Sequence, residues 1–251
     1  MPKERGVIKL KHFGLICDET IDIEKWTELL SEVMEPSCNW VTDKFTIKKR
    51  IKKVVLLTNK AREFDPLSSK ISEDCQIKVP NSVNSLPFIA VMELISNLSQ
   101  GTEDPIEEYV ADIISLACYT SNNEGKHESS GKNFDKFRDK VFNSPLEDAF
   151  GIFNWIKENL TSTQEEWNDR FDSVHIEDVD YDLAGGSRMS QFNVITTLKS
   201  ICEDFNLPLD EAWHVAYDMV QTNSYAKATQ NHIQDSMRIV KEAKMNAKRG
   251  A

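Results

Sequence analysis

Apolar residues recur most regularly in the C-terminal half of the chain. Met189, Phe192, Ile195, Leu198, Cys202 and Phe205 are spaced three or four apart, which places them on one face of an α-helix. Asn206-Leu207-Pro208 stops that pattern, because proline lacks the N–H a continuing helix needs. A second helix is predicted from Leu209, with Ala212, Trp213, Ala216, Tyr217 and Val220 on its apolar stripe. Asp210 and Glu211 suit the positive end of its dipole. A third runs from about Tyr225 to Lys248. In it Tyr225, Ile233, Met237 and Val240 form a narrow seam of the coiled-coil kind, facing either its own domain or a neighbour. Lys241, Lys244 and Lys248 suit its C-terminal end.

Further upstream, Ser144-Pro145-Leu146-Glu147 combines a capping box with proline at a helix start. The helix it opens turns Leu146, Phe150, Phe153, Ile156 and Leu160 inward. Thr163 and Glu166 form a similar start for a separate short helix that carries Trp167 and Phe171. Thr102 to Pro105 begin a helix with Ile106, Tyr109, Val110, Ile113, Ile114 and Ala117 on its apolar side, and residues 86–98 form its partner. Before residue 86 the pattern is mixed. Residues 7–13 and 76–79 alternate like strands, and 23–34 read as a helix with Trp26, Leu29, Leu30 and Val33 on one face. Residues 45–57 fit a hairpin strand and a helical face equally.

The fold predicted is mainly α, a helical bundle-like C-terminal part with a smaller mixed α/β N-terminal part. The polar stretch 121–133, which has two glycines and no apolar residue, is read as a linker. It separates an N-terminal part, 1–120, from a helical C-terminal part, 134–251.

Charge adds information because it is unevenly placed. The net charge is −11, which argues against a protein that coats nucleic acid. Yet Lys44, Lys48, Lys49, Arg50, Lys52, Lys53, Lys60 and Arg62 fall within nineteen residues. Between Glu165 and Asp182 there are eight acidic side chains against one cation, Arg170. The basic block is either a solvated face or a contact for an acidic partner or nucleic acid, the last disfavoured because no aromatics are interleaved for base stacking. The acidic block is either a solvated loop or a docking surface, and the two are complementary enough to meet between copies in a ring. Asp178, Asp180 and Asp182 alternate as in the opening of a calcium-binding loop. The pattern then fails at Leu183, where glycine makes the sharp turn, and at Met189, where a bidentate glutamate belongs. An acidic contact surface is the preferred reading. Trp155 lies off the Phe153–Ile156 stripe, so its helix is apolar over a wide arc and is expected to be covered on two sides.

No phosphate-binding glycine loop, HExxH, GxSxG or CxxC occurs, and the five histidines are scattered. No catalytic residue, cofactor or metal is therefore expected. His214 and the Asp178–Asp182 stretch remain the places where an unrecognised active site would be sought. Of the five cysteines, Cys17, Cys118 and Cys202 have apolar neighbours and read as small core residues, and no disulfide framework is signalled. No apolar run nears the roughly 18–20 residues of a membrane span. Nor does an apolar segment follow Met1-Pro2-Lys3-Glu4-Arg5, which predicts no secretory signal.

The arrangement SPLEDAFGIFNWIKENL, then FNLPLDEAWHVAYDMVQTNSYAKA, then a long polar helix covers residues 144 to 248. It resembles small helical tail-assembly or baseplate-hub assembly proteins of tailed bacteriophages. The resemblance implies a non-enzymatic virion or assembly component acting through contacts with other subunits, or with copies of itself. It implies synthesis in the host cytoplasm, with the virion as the destination. The alternatives are a transient assembly chaperone or adaptor that is absent from the finished particle, and an enzyme with an unrecognised site. The contact residues expected on the sequence are Lys48, Lys49, Arg50, Lys52, Lys53, Asp178, Asp180, Asp182, Trp155, Tyr225, Ile233 and Met237.

Overall fold

The structure, a computed structural model, describes residues 8–17, 70–100, 105–123, 127–174 and 193–249. It is mainly helical. Among the described residues there is no strand, only isolated bridges between Lys9 and Pro145 and between Pro87 and Ala216. The helices are α1 (Phe13–Cys17), α2 (Phe88–Gln100), α3 (Ile106–Asn122), α4 (Lys132–Phe142), α5 (Leu146–Asp172), α6 (Asn193–Phe205), α7 (Leu209–Ala212) and α8 (Tyr217–Arg249). The expected elements at 23–34 and 45–57 lie outside the described residues.

The chain divides into two units. One holds the described residues up to Pro80 together with Glu93–Glu158, and the other holds Asn81–Met92 and the described residues from Asn159 onward. The polar stretch read as a linker falls within the first unit. Its described end is held by buried His127. Its Nε2 lies 3.2 Å from the Glu93 carboxylate and its Nδ1 3.4 Å from the Thr120 hydroxyl. Tyr119 Oη donates to Glu128 at 2.8 Å.

In the first unit α3 is the central element. Glu107 and Glu108 occupy its first turn, where anions are favoured, and every residue from Ile113 to Tyr119 is buried. Ile106, expected inward, is 48 % exposed, because it precedes the point where neighbours surround the helix. α4 falls in the part predicted to be helical, but the periodicity assigns no individual helix there. Its apolar content is little more than Phe134, Phe137 and Val141, yet all three are buried, and both phenylalanine rings lie against Tyr119 at 5.4 and 5.7 Å. Phe13 meets Phe150 at 5.2 Å, and Tyr109 meets Phe153 edge-on at 6.0 Å. A fully buried side chain such as Phe150 or Ile113 contributes about 2 kcal/mol.

The two strand predictions that fall on described residues fail because neither segment finds a backbone partner along which a ladder can continue. Around Lys9 the Leu10 N–H reaches Ser144 O and the Leu146 N–H reaches Ile8 O. A ladder cannot extend further, because α5 starts at Leu146. The chain instead turns into the 3-10 turn Leu10–His12 and then α1. At residues 76–79 the backbone of Lys78 pairs with a side chain. Its N–H donates to Asn122 Oδ1 at 3.1 Å, and its carbonyl accepts from Asn122 Nδ2 at 2.9 Å.

The start and length of α5 also differ from expectation. The Ser144 hydroxyl donates to Val141 O at 2.6 Å, finishing α4 rather than capping α5, whose first N–H is met by Ile8 O. The helix then runs unbroken for 27 residues, so Thr163 is a buried mid-helix residue and begins nothing. No proline or glycine lies between Leu160 and Trp167, and the apolar period continues through both.

In the second unit α6 ends where expected. Asn206 takes a positive φ of 51° and the Leu207 N–H bonds Cys202 O at 3.1 Å, a Schellman closure. Its buried face is centred on Leu198 and Ile201, while Ile195, expected inward, is 65 % exposed. The helix predicted from Leu209 to Val220 is interrupted after one turn, and Leu209 is itself exposed. The carbonyls of Trp213 and Val215 accept from the Ile89 and Phe88 N–H groups, and the Tyr217 N–H donates to Leu86 O. Orphan donors of α2 thus meet carbonyls just past the end of α7, and the final helix restarts at Tyr217 rather than Tyr225. The Phe88 ring stacks on Tyr217 at 6.3 Å.

Candidate functional site

Of the contact residues expected from the sequence, Lys48, Lys49, Arg50, Lys52, Lys53, Asp178, Asp180 and Asp182 lie outside the described residues. Trp155 is half-buried in the first unit, on a helix whose Ile152, Asn154 and Ile156 are all buried. Tyr225, Ile233 and Met237 all belong to α8 in the second unit, and the structure treats them differently.

α8 spans 33 residues, about 50 Å at 1.5 Å per residue. Its first half is docked. Tyr217 and Val220 are buried, and Tyr225 packs edge-on against Phe171 with ring centroids 5.9 Å apart. A polar clasp joins it to α6. Lys227 Nζ is 2.6 Å from the Asp204 carboxylate and donates to Ser200 Oγ at 2.7 Å. Asn223 Nδ2 also donates to Asp204, and the Ser200 hydroxyl donates to it at 3.0 Å. These donors, Lys227 first, hold the Asp204 carboxyl below its ordinary value against the opposing effect of burial. The sequence reading missed this clasp. Its members are 19 to 27 residues apart across two helices, so no local spacing signals them.

The second half of α8 has a different surface. Ile233, Met237, Ile239, Val240 and Met245 are each more than half exposed. An open groove of about 530 Å³ follows this helix, with Ile233, Met237, Val240, Lys241 and Lys244 in its described lining. The cations there belong to a wider set. From Arg238 to Arg249 the sequence has five cations and one anion, Glu242. Arg238 is paired with Asp235 at 3.5 Å, one turn back on the same helix. An exposed apolar row edged by cations can hold another apolar surface while attracting anions at its rim.

Elsewhere, His214 is exposed on the turn before α8. No group of three or more His, Cys, Asp or Glu side chains arranged to hold a metal occurs among the described residues. Cys118 is fully buried, as expected, and burial raises its thiol pKa, with Cys75 adding to the shift. Cys202 is only half-buried. No described helix is long and apolar enough to cross a membrane. Comparison with protein-family models, curated proteins and solved structures finds no match to this chain.

Proposed function

We propose that the chain is a non-enzymatic structural or assembly protein of a multi-subunit particle of the tailed-phage kind, acting through protein–protein contacts. The observation that carries the reading is the distal half of α8, where Ile233, Met237 and Val240 expose an apolar row on a helix anchored at its other end. Exposing such residues opposes the hydrophobic effect unless a partner covers them. The order of helices across residues 144–248, with its resemblance to tail and baseplate assembly proteins, supplies the kind of particle.

Mass spectrometry of the purified particle tests the reading, together with light scattering of the chain mixed with individual particle proteins. A structural component is present in stoichiometric amount. A transient chaperone is absent from the finished particle but forms complexes with its parts. A chain that stays monomeric and binds no particle protein overturns both.

A further inference from the structure

The same row also constrains what can cover it. Ile233, Met237, Val240 and Lys244 are spaced four, three and four apart, the alternation of the two inward positions of a heptad. Met237 and Lys244 occupy one of these positions and Ile233 and Val240 the other. Lys241 flanks the seam on one side, and Lys248 holds the same register position seven residues later. Ser236 and Ala243 take the other flank.

The same seam of a second copy fits poorly in either orientation. Paired parallel, Lys244 meets its own equivalent at an inward position, and Lys241 finds only Ser or Ala across the flank. Paired antiparallel, like flanks meet, so Gln234 and Lys241 face their own kind and no carboxylate is among them. Like-charge contacts of this kind count against a partner. An anionic membrane fits poorly as well. The described row is narrow and has no aromatic residue, and the whole chain carries a net charge of −11.

We infer that the distal seam of α8 receives an amphipathic helix of a different protein, one whose flanking positions carry Asp or Glu. Apolar residues of the partner cover Ile233, Met237 and Val240, while its carboxylates meet Lys241 and Lys244. This inference rests on the contact role proposed above and adds the chemistry of the partner.

The test uses the full chain and two labelled synthetic helices of equal length, followed by fluorescence anisotropy. Both carry Leu at the inward positions; one has Glu at the flanks and the other Lys. The Glu helix is expected to bind at least tenfold more tightly than the Lys helix, and to weaken as salt is raised. The double variant Lys241→Glu, Lys244→Glu reverses the preference, an outcome that an unfolded chain does not give. Equal binding of both helices, or no binding of the Glu helix, overturns the inference. So does self-association of the chain that Met237→Asp abolishes, or capture by phosphatidylserine vesicles lost in the double variant. If the chain is found in particles and yet fails this test, its contacts use another surface and the broader reading stands.

Discussion

Gly151 illustrates how a residue's role depends on neighbours that are remote in sequence. It lies inside α5, where alanine is ordinarily the better helix former by about 1 kcal/mol. A Cβ at this position, however, falls 2.9 Å from the Ile71 nitrogen and from the Lys70 carbonyl carbon. Those atoms are backbone, held in place nearby where buried Asp148 accepts from the Ser72 N–H at 2.6 Å and the Ser72 hydroxyl at 3.0 Å. Gly151→Ala is therefore expected to lower stability by about 1–3 kcal/mol, the usual range for overpacking. Urea unfolding measures it, and a midpoint equal to or above that of the parent chain refutes the close approach. Nothing in residues 146–160 alone distinguishes this glycine from an incidental one. Its constraint comes from residues 80 positions earlier.

Helix interiors were readable from the sequence and helix ends much less so. The apolar period identified α2, α3, α6 and the opening of α5, because burial of one face imposes spacings of three and four regardless of partner. Ends depend on where orphan N–H and C=O groups find partners. α6 closes locally through Asn206, and that end was legible. Asn206→Gly should leave stability unchanged or slightly raised, since glycine enters the left-handed region freely. Asn206→Val should cost about 1–2 kcal/mol, because a β-branched side chain resists a positive φ. Thermal melts of the two variants decide this; equal melting temperatures would contradict the Schellman closure. The ends around Trp213 and Tyr217 were misplaced because they are set by α2, whose sequence lies more than a hundred residues away.

At the scale of the molecule, two ionisable groups contribute to opposite limbs of the pH dependence of stability. Asp204 titrates below its ordinary value of 3.8, chiefly because Lys227 donates to it. Its contribution is fully present above 3.8 and is lost as pH falls through the depressed folded value. Tyr119 is pushed up to about 12 by burial and by the Glu128 carboxylate that its hydroxyl faces. Folding is favoured by this group below pH 10, and the contribution is lost between 10 and about 12 as the unfolded chain releases the proton first. Asp204→Asn should flatten the acid limb of a stability–pH curve and Tyr119→Phe the alkaline limb. The two residues lie in different units, so each limb reports on its own unit. An unchanged acid limb in Asp204→Asn would mean that the clasp to Lys227 contributes nothing to stability.

The candidate surface was legible in part. Ile233, Met237 and Val240 are visible as a seam in the sequence, because their spacing does not depend on what they contact. Periodicity reports which residues share a face and leaves open whether that face is buried. Ile195 and Leu198 belonged to one predicted stripe, yet one is 65 % exposed and the other 5 %. Likewise Tyr225 and Met237 read as one seam, and the tertiary structure docks the first on Phe171 and leaves the second exposed. The mainly helical class, the face each helix offers and the local stop at Asn206 follow from chain chemistry within a few residues. Which half of α8 is covered, where α8 begins and why residues 8–12 form no strand were decided by partners far along the chain, because burial and hydrogen-bond satisfaction are properties of the neighbours a residue acquires on folding.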